Sequence, residues 1–371
     1  MATVLRRRRP GESPQVTHVE LFFDLVYVFA VTQLSHNLRD QLTARGALET
    51  LVLFLAVWWA WNYTAWATNW IDPDHAAVRL LMIGLMLLSL AMSAAIPRAF
   101  GSRGATFALA YVTLQVVRSG FMVVAFRGVR MGRNYAQLLA WSCIAGAAWV
   151  GGAFVHGDSR LLVWIAAIAL DYAAPLHGFA LPRLGRTPIG DWTLAGGHLA
   201  ERNQLVLLIA LGESILAVGA TFAGLSWRAA VVGAFVVGFV ETASLWWIRA
   251  GYAYAHGIMV AGVIVLAVAI DLTIAQPTRE TSTRAAAVIL GSPALYLLGN
   301  ALFKHALIGR VPRSRLLGLL ALVLLIPVAI AANRLVLSAA TTLVLATLAA
   351  ATANEPASGS LASGTTPRHT R

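Results

Sequence analysis

Long apolar runs fill this chain and decide what it can fold into. Twelve runs, each long enough to cross a bilayer as a helix of about 20 residues, follow one another with short gaps of Pro, Gly and Arg. Hydrophobic residues make up 58% of the chain and charged residues 12%, whereas a soluble domain is about half apolar and about a quarter charged. In hydrocarbon each run must satisfy its own backbone hydrogen bonds, which favours helices. The sequence therefore predicts an all-α, polytopic integral membrane bundle of about twelve transmembrane helices.

The predicted spans account for almost the whole chain between two polar tails. They cover residues 18–38, 47–67, 78–97, 104–126, 135–155, 160–181, 202–224, 228–249, 254–275, 285–303, 315–333 and 335–353. The basic tail 1–17 and the tail 354–371 have too little apolar content to bury a core and are predicted to be disordered. Only Asn333 and Arg334 separate the last two runs, so a single re-entrant hairpin is an alternative there.

A weak internal repeat divides the spans into two sets of six. Trp58-Trp59 and Trp246-Trp247 occupy equivalent positions six runs apart, and each pair has tyrosine a few residues later. Such spacing suits a parallel repeat of two six-helix halves, 18–181 and 202–353. Chance similarity between Trp-rich segments is the alternative.

Basic residues predict the orientation. The formal net charge is +12, and Lys304 is the only lysine. The arginines fall in short gaps between apolar runs, which disfavours nucleic-acid binding. Gaps on the same side as the N-terminus hold roughly twice as many basic residues as those on the other side, so both termini are predicted to be cytoplasmic.

Acidic residues inside the predicted spans are the main functional clue. A carboxylate at the bilayer centre costs roughly 2.5–3.5 kcal/mol on insertion scales, so each needs a compensating role. We take them as candidates for binding a substrate, a proton or a cation. They are Glu20, Asp24, Asp171, Glu213, Glu241 and Asp271.

Two of these positions have a local context that can be interpreted. Glu20 and Asp24 are four residues apart and share a helix face, where two carboxylates resist ionising together and suit proton coupling. Alternatively, Glu20 lies in interfacial water. Glu213 lies in the middle of its run between Gly212 and Ser214, and we interpret it as the strongest single site residue. The alternative for Glu213 is a polar clamp between helices.

One cation and three aromatic residues complete the candidate set. Arg118 is central in its run and is expected to pair with a carboxylate, which could be Asp24, Asp171 or Glu213. Trp58, Trp59 and Trp247 line a ligand pocket in one interpretation and form an interfacial belt in the other.

Other local signals are weak or missing from the sequence. His198 and Glu201 have a spacing that could hold a metal, but two ligands alone do not predict a metal site. Cys143 is the only cysteine and cannot form an intrachain disulfide. The sequence has no Walker A motif, nucleophile elbow, H-E-x-x-H or C-x-x-C. We therefore predict no metal, no cofactor and no enzymatic activity.

Several blocks of the sequence resemble a known family. They are Thr17–His36, Trp58-Trp59, His198–Arg202 with Leu211–Ser214, and Trp246-Trp247. Together they resemble the bacterial low temperature requirement A (LtrA) family, over about residues 18–355. The resemblance implies a bacterial inner-membrane protein with many helices. It brings no mechanism and no catalytic or binding residues.

The leading interpretation is a transporter or permease. Asp24, Glu213 and Glu20 would bind or relay protons or a cation, with Arg118 as the internal counter-charge. The expected partners are the lipid bilayer and a small solute or ion. An intramembrane enzyme is one alternative, and a structural or accessory protein that supports growth at low temperature is the other. A cavity shared by Asp24 and Glu213 would favour transport.

Overall fold

The fold is a bundle of long α-helices. A computed structural model describes residues 4–6, 15–192, 194–248 and 253–352. In these ranges the helices are α1 (His18–Asp40), α2 (Ala44–Thr68), α3 (Ala76–Ala95), α4 (Gly104–Ala125), α5 (Arg130–Ala153), α6 (Asp158–Leu176), α7 (Gly196–Ala223), α8 (Ala229–Trp247), α9 (Ala253–Ala275), α10 (Thr283–Ile308), α11 (Arg313–Leu324), α12 (Ile326–Ala331) and α13 (Arg334–Thr352).

The predicted number of membrane spans is confirmed. Twelve helical segments of the described residues are long and apolar enough to cross a bilayer. The last two, Arg313–Ala331 and Arg334–Ala351, are separate segments of that length, so each is long enough to span the bilayer by itself. The first of them is broken at Leu325, and Pro327 lies at the start of α12, where its missing N–H costs little.

The outer surface of the bundle suits contact with lipid. Large apolar side chains are exposed on many helices, including Phe22 (59%), Leu80 (70%) and Leu216 (63%). With so many apolar side chains facing outwards, the natural solvent for this surface is hydrocarbon. The chain is therefore a multi-pass membrane protein.

α1 joins the two parts of the chain, with one face buried and another exposed at Phe22 and Leu25. It contacts α2 and α3 from the first part, and α7 and α9 from the second. The same order of neighbours occurs in both parts: α1–α2, α1–α3 and α3–α4 correspond to α7–α8, α7–α9 and α9–α10. A two-half repeat would produce this order, and the repeat itself stays a prediction.

Parallel directions give the bundle two distinct faces. α1, α7 and α9 run the same way, because residues near their starts meet one another and residues near their ends do so too. We call the face where these helices begin the α1-start face and the opposite one the α1-end face. α9 is also packed tightly on α10: a Cβ at Gly262 would lie 2.9 Å from the backbone nitrogen of Tyr296.

Part of the predicted N-terminal tail packs on the bundle. Leu5 forms an antiparallel bridge with Ile71, just after α2, and the Arg6 amide donates a hydrogen bond to the carbonyl of Trp70 at 2.8 Å. This holds the Arg6 side chain against the start of α1. The predicted tail 354–371 lies outside the described residues.

Candidate functional site

A buried ion cluster joins the first two turns of α1 to those of α7. We define it as Glu20, Asp24, His198 and Arg202, each of which has 0% of its surface exposed. The Arg202 guanidinium binds Asp24 through two bonds, from Nη2 to Oδ1 at 2.5 Å and from Nε to Oδ2 at 3.0 Å. Its Nη1 lies 3.3 Å from Glu20 Oε1. Paired bonds of this kind are the strongest ion-pair geometry that arginine makes.

The neighbours of the ion cluster satisfy Glu20 completely. His198 Nε2 lies 3.0 Å from its Oε1, and Arg6 Nη2 lies 3.1 Å from its Oε2. The hydroxyl of Thr17 donates to the same Oε2 at 2.9 Å, as does the Thr17 amide, so Glu20 also completes the capping box that begins α1. The amide of Asn69 faces His198 Nδ1 at 3.2 Å.

Asp24 and Arg202 have further partners on α2. The Trp61 indole donates to Asp24 Oδ1 at 2.8 Å, and Arg202 Nη1 donates to the Thr68 hydroxyl at 3.0 Å. The two carboxylates of the ion cluster are balanced by two guanidinium groups, those of Arg202 and Arg6. This cluster is deeply buried and every carboxylate oxygen in it has a partner, so it locks three helices together.

The structure corrects the sequence interpretation of this region. Glu20 does not lie in interfacial water, because it is fully buried in ion pairs. The counter-charge of Asp24 is Arg202, not Arg118. A signal for Arg202 was present in the sequence: His198 and Arg202 are four apart on α7, which matches the spacing of Glu20 and Asp24 on α1, so two bases on one face meet two acids on another.

Arg118 is buried without an acid. Its Nη1 lies 3.4 Å from both the Ala60 carbonyl and the Thr64 hydroxyl, and the guanidinium lies 5.2 Å from the centre of the Tyr63 ring. Among the described residues it forms no ion pair within 4 Å, so the predicted carboxylate partner is wrong. Packing on a tyrosine face supplies part of the compensation.

Two other acids of the candidate set line neither of the two cavities described next. Asp171 Oδ2 accepts from the Tyr111 hydroxyl at 2.8 Å and from the Trp149 indole at 3.0 Å. Glu241 on α8 is 2% exposed, and its Oε1 has no hydrogen-bond partner among the described residues.

The remaining acids meet in an open cavity. The α1–α7 cleft, as we call it, has a volume of about 480 Å³ and lies between α1, α7 and α9 in the half of the bundle near the α1-end face. It brings together Glu213 and Asp271, which come from separate helices. Its lining consists of Thr32, Ser35, His36, Arg39, Glu213, Leu216, Ala217, Ala220, Thr221, Ala267, Val268 and Asp271.

Glu213 lies in the inner part of the cleft and carries no counter-charge. Its Oε2 accepts a hydrogen bond from the Thr32 hydroxyl at 2.7 Å, and its side chain is 5% exposed. In the described part of the chain no Lys, Arg or His nitrogen lies within 4 Å of its oxygens. His36 is one turn beyond Thr32 on α1 and lines the same cavity. Glu213 is therefore a buried carboxylate that faces a cavity large enough for a ligand.

Asp271 lies at the mouth of the cleft and is paired. Arg39 Nη1 lies 3.0 Å from its Oδ2, and the Thr221 hydroxyl donates to its Oδ1 at 2.6 Å. Arg39 is shared with Asp40 at 3.2 Å. This end of the cleft is more open, because Asp271 is 19% exposed and Arg39 40%.

The cleft and the ion cluster are separate sites on the same helices. Thr32, which contacts Glu213, is eight residues beyond Asp24 on α1, or about 12 Å along the helix axis. Asp24 and Glu213 therefore do not share a cavity. The cavity that the sequence analysis sought, shared by Asp24 and Glu213, is therefore not found, and Glu213 shares its cavity with Asp271 instead.

The candidate tryptophans do not line the cleft. Trp58 and Trp59 are buried at 5% and 1% exposure, where Trp59 stacks on Tyr172 with ring centres 4.1 Å apart. Trp247 is 55% exposed on the outside of α8. A second, smaller cavity of about 120 Å³ lies between α7, α8 and α9, and its lining includes Glu201, Trp246 and His256.

Comparisons with known proteins agree with the sequence blocks noted above. A family model described as "Bacterial low temperature requirement A protein (LtrA)" matches residues 15–350, which includes both the ion cluster and the cleft. An uncharacterised protein of Rhizobium meliloti is 32% identical over 339 residues, which covers 84% of this chain and 83% of the relative. No solved structure matches the chain.

Proposed function

We propose that this chain, which belongs to the bacterial low temperature requirement A family, is a permease that binds a positively charged group at Glu213. The observation that carries this proposal is the position of that carboxylate. It lies inside the α1–α7 cleft with one hydroxyl donor and, among the described residues, no counter-cation, and a second carboxylate, Asp271, lines the same cavity. An ionisable group that faces a cavity within a membrane protein marks the path of an ion or solute.

The opposite end of the same helices supports a transport cycle. The cleft opens near the α1-end face, while the ion cluster closes the contact of α1 with α7 near the α1-start face. A carrier in one of its two access states needs an open side and a closed side around one binding site. The ion cluster would be the closed side, and access from that side would require α1 to separate from α7.

The cost of opening the ion cluster limits this cycle. Breaking a buried ion pair strands charge and costs about 3–5 kcal/mol, so the closed side does not open by itself to any large extent. A ligand drives such a change only by as much as it binds one state better than the other. The excess of basic residues on the side of the N-terminus would place the closed side in the cytoplasm. The cleft would then open towards the opposite side of the membrane.

Reconstitution into liposomes tests the proposal. The full chain would be assayed for proton, Na⁺, K⁺ and alkylammonium gradients with an internal pH-sensitive dye and with charge-movement recordings. We expect movement of one of these cations above the level of empty liposomes, and Glu213→Gln should abolish it while leaving the elution profile intact. Asp171→Asn is the matched control, because it neutralises a buried acid away from the cleft.

Two results would contradict the proposal. One is equal flux in wild type and Glu213→Gln. The other is no movement of any tested cation by a folded wild-type protein. A Glu213→Gln variant that melts at a much lower temperature would instead indicate that the carboxylate holds helices together.

A further inference from the structure

We infer that the ligand of the α1–α7 cleft is an organic ammonium with an apolar body. This inference rests on the proposed function, since it names the class of solute that Glu213 would bind. It follows from three features of the cleft: the charge of its inner end, the number of oxygen ligands there, and the apolar character of its walls.

The inner end of the cleft has free hydrogen-bond acceptors, which suit a ligand group with several N–H donors. Glu213 uses Oε2 to accept from Thr32, and both of its oxygens have further lone pairs. The single hydroxyl proton of Thr32 lies within reach of Glu213 and of the Val28 carbonyl at 3.0 Å, and the lone pairs of the hydroxyl remain available as acceptors. Ser35 is in the same state, because its hydroxyl donates to the Val31 carbonyl at 3.0 Å. A primary ammonium has three N–H donors, one for each of these groups.

A metal ion fits this set of oxygens poorly. Ca²⁺ takes about six to eight oxygen ligands and Mg²⁺ needs an octahedral shell. The described residues contain no group of three or more His, Cys, Asp and Glu side chains placed to hold a metal. Asp271, the other acid of the cleft, is already paired with Arg39. One carboxylate and two hydroxyls are therefore too few for a dehydrated metal ion, but they are sufficient for an ammonium.

The walls of the cleft suit an apolar body. Beside the polar groups they consist of small and aliphatic side chains, namely Leu216, Ala217, Ala220, Ala267 and Val268. The volume of about 480 Å³ lies in the range of ligand pockets. Burial on such a wall strengthens binding by about fourfold for each methylene, which corresponds to about 0.8 kcal/mol.

The cleft is also open on its flank. Leu216 lines the cavity and is nonetheless 63% exposed, and the neighbouring Ile215 is 40% exposed on the outer surface of α7. In a bilayer this flank faces acyl chains. An amphiphilic amine could therefore enter from the membrane with its ammonium directed to Glu213, whether it is a free alkylamine or the headgroup of an aminolipid.

Equilibrium binding tests the inference. The full chain in detergent would be titrated with ethyl-, butyl- and hexylammonium, and with Na⁺, K⁺, Mg²⁺ and Ca²⁺, by calorimetry and thermal shift. We expect affinity to rise about fourfold per methylene in the amine series, and Glu213→Gln should weaken hexylammonium binding at least about tenfold, the loss of about 1.4 kcal/mol. Glu201→Gln, which changes an acid of the smaller cavity, should bind as wild type does.

Controls separate this site from simple partition into detergent. Hexanol should bind no better to wild type than to Glu213→Gln. A chain-length series that is the same in both proteins would overturn the inference. So would binding of a metal ion that requires Glu213 together with an absence of amine binding.

The source of the amine is read from lipid nanodiscs. Phosphatidylethanolamine carries an N–H-bearing headgroup, whereas phosphatidylcholine does not. If the occupant is an aminolipid, phosphatidylethanolamine competes for the cleft, and hexylammonium binds more weakly in phosphatidylethanolamine nanodiscs than in phosphatidylcholine nanodiscs. Equal binding in both kinds of nanodisc supports a free amine. Amine binding without flux would contradict the permease proposal and support the organic ammonium as ligand. Proton flux that requires Glu213, without amine binding, would support the permease proposal and contradict the ammonium ligand.

Discussion

The two ends of the α1–α7 helix pair treat carboxylates in opposite ways. At the α1-start face Glu20 and Asp24 are dry and held by Arg202, Arg6 and His198. At the other end Glu213 has a threonine hydroxyl and a cavity. All three acids lie in apolar runs, so burial in the membrane does not by itself distinguish a lock from a binding site. The two are distinguished by whether a cationic side chain contacts the carboxylate.

The difference has an energetic consequence. Removal of one member of a buried, paired cluster strands the charge of the other, because neither water nor a second partner can replace it. Neutralising a carboxylate that faces an open cavity and has no ion-pair partner strands no opposite charge. Substitutions at the two ends should therefore separate into those that lower stability and those that lower binding.

Arg202→Ala should give the largest effect. It leaves Glu20 and Asp24 buried with only Arg6, His198 and neutral donors, so the free energy of unfolding should fall by about 3–5 kcal/mol. Thermal melting of the detergent-solubilised chain measures this, with yield of folded protein as a second readout. A midpoint close to that of wild type would contradict the lock interpretation of the ion cluster.

A matched pair of neutralisations sharpens the contrast. Asp24→Asn loses the paired bonds to Arg202 and should cost about 1.5–3 kcal/mol for the charged hydrogen bonds alone. Glu213→Gln keeps an acceptor for Thr32 and should change the melting midpoint little. The same melting experiment on both variants checks the order, and a larger loss for Glu213→Gln would reverse the assignment of the two ends.

The general architecture was predictable and the pairing was not. Apolar run length is a local property, so it gives the twelve spans directly, although it left open whether the last two are separate. The partner of a buried acid depends on which helix faces which, and that is a tertiary property. Arg118 shows the difference: it lies in mid-span as Glu213 does, yet the helix that faces it supplies Thr64 and Tyr63 and no carboxylate.

The cleft itself could be anticipated only in part. The local context of Glu213 predicted a close helix approach, but a Cβ at Gly212 would meet no atom within 4 Å, and the Ser214 hydroxyl has no hydrogen-bond partner among the described residues. Asp271 belonged to the candidate set, but its run gave no hint that it shares a cavity with Glu213. Thr32 and His36 were not predicted, because a threonine and a histidine on an apolar helix have many ordinary roles and only the position of α7 makes them lining residues.

Arg6→Ala should have a smaller effect than either change at the centre of the ion cluster. The Arg6 side chain is 9% exposed and lies at the outer edge, and Glu20 keeps Arg202, His198 and Thr17 after its removal. We expect a loss of about 1 kcal/mol, the usual net value of one hydrogen bond, because Glu20 keeps Arg202 as its counter-charge. Melting of this variant beside Arg79→Ala, an exposed arginine of the same face paired with Asp74, tests whether the N-terminal segment belongs to the lock. Equal melting of both variants would exclude it.

Arg39→Gln should change stability least of these substitutions, and it should strengthen amine binding slightly. Arg39 and Asp271 are exposed enough for solvent to screen their attraction, so the melting midpoint should hardly move. Removing the guanidinium leaves Asp271 uncompensated at the mouth and makes the cleft more negative. Hexylammonium should then bind about twofold to fivefold tighter at low salt, and the gain should disappear near 1 M salt, where the screening length is about 3 Å.

Arg45→Gln is the matched control, because it removes an exposed, paired arginine of the same face outside the cleft. An equal gain in both variants would show that the charge of the whole face, and not the mouth of the cleft, sets the affinity.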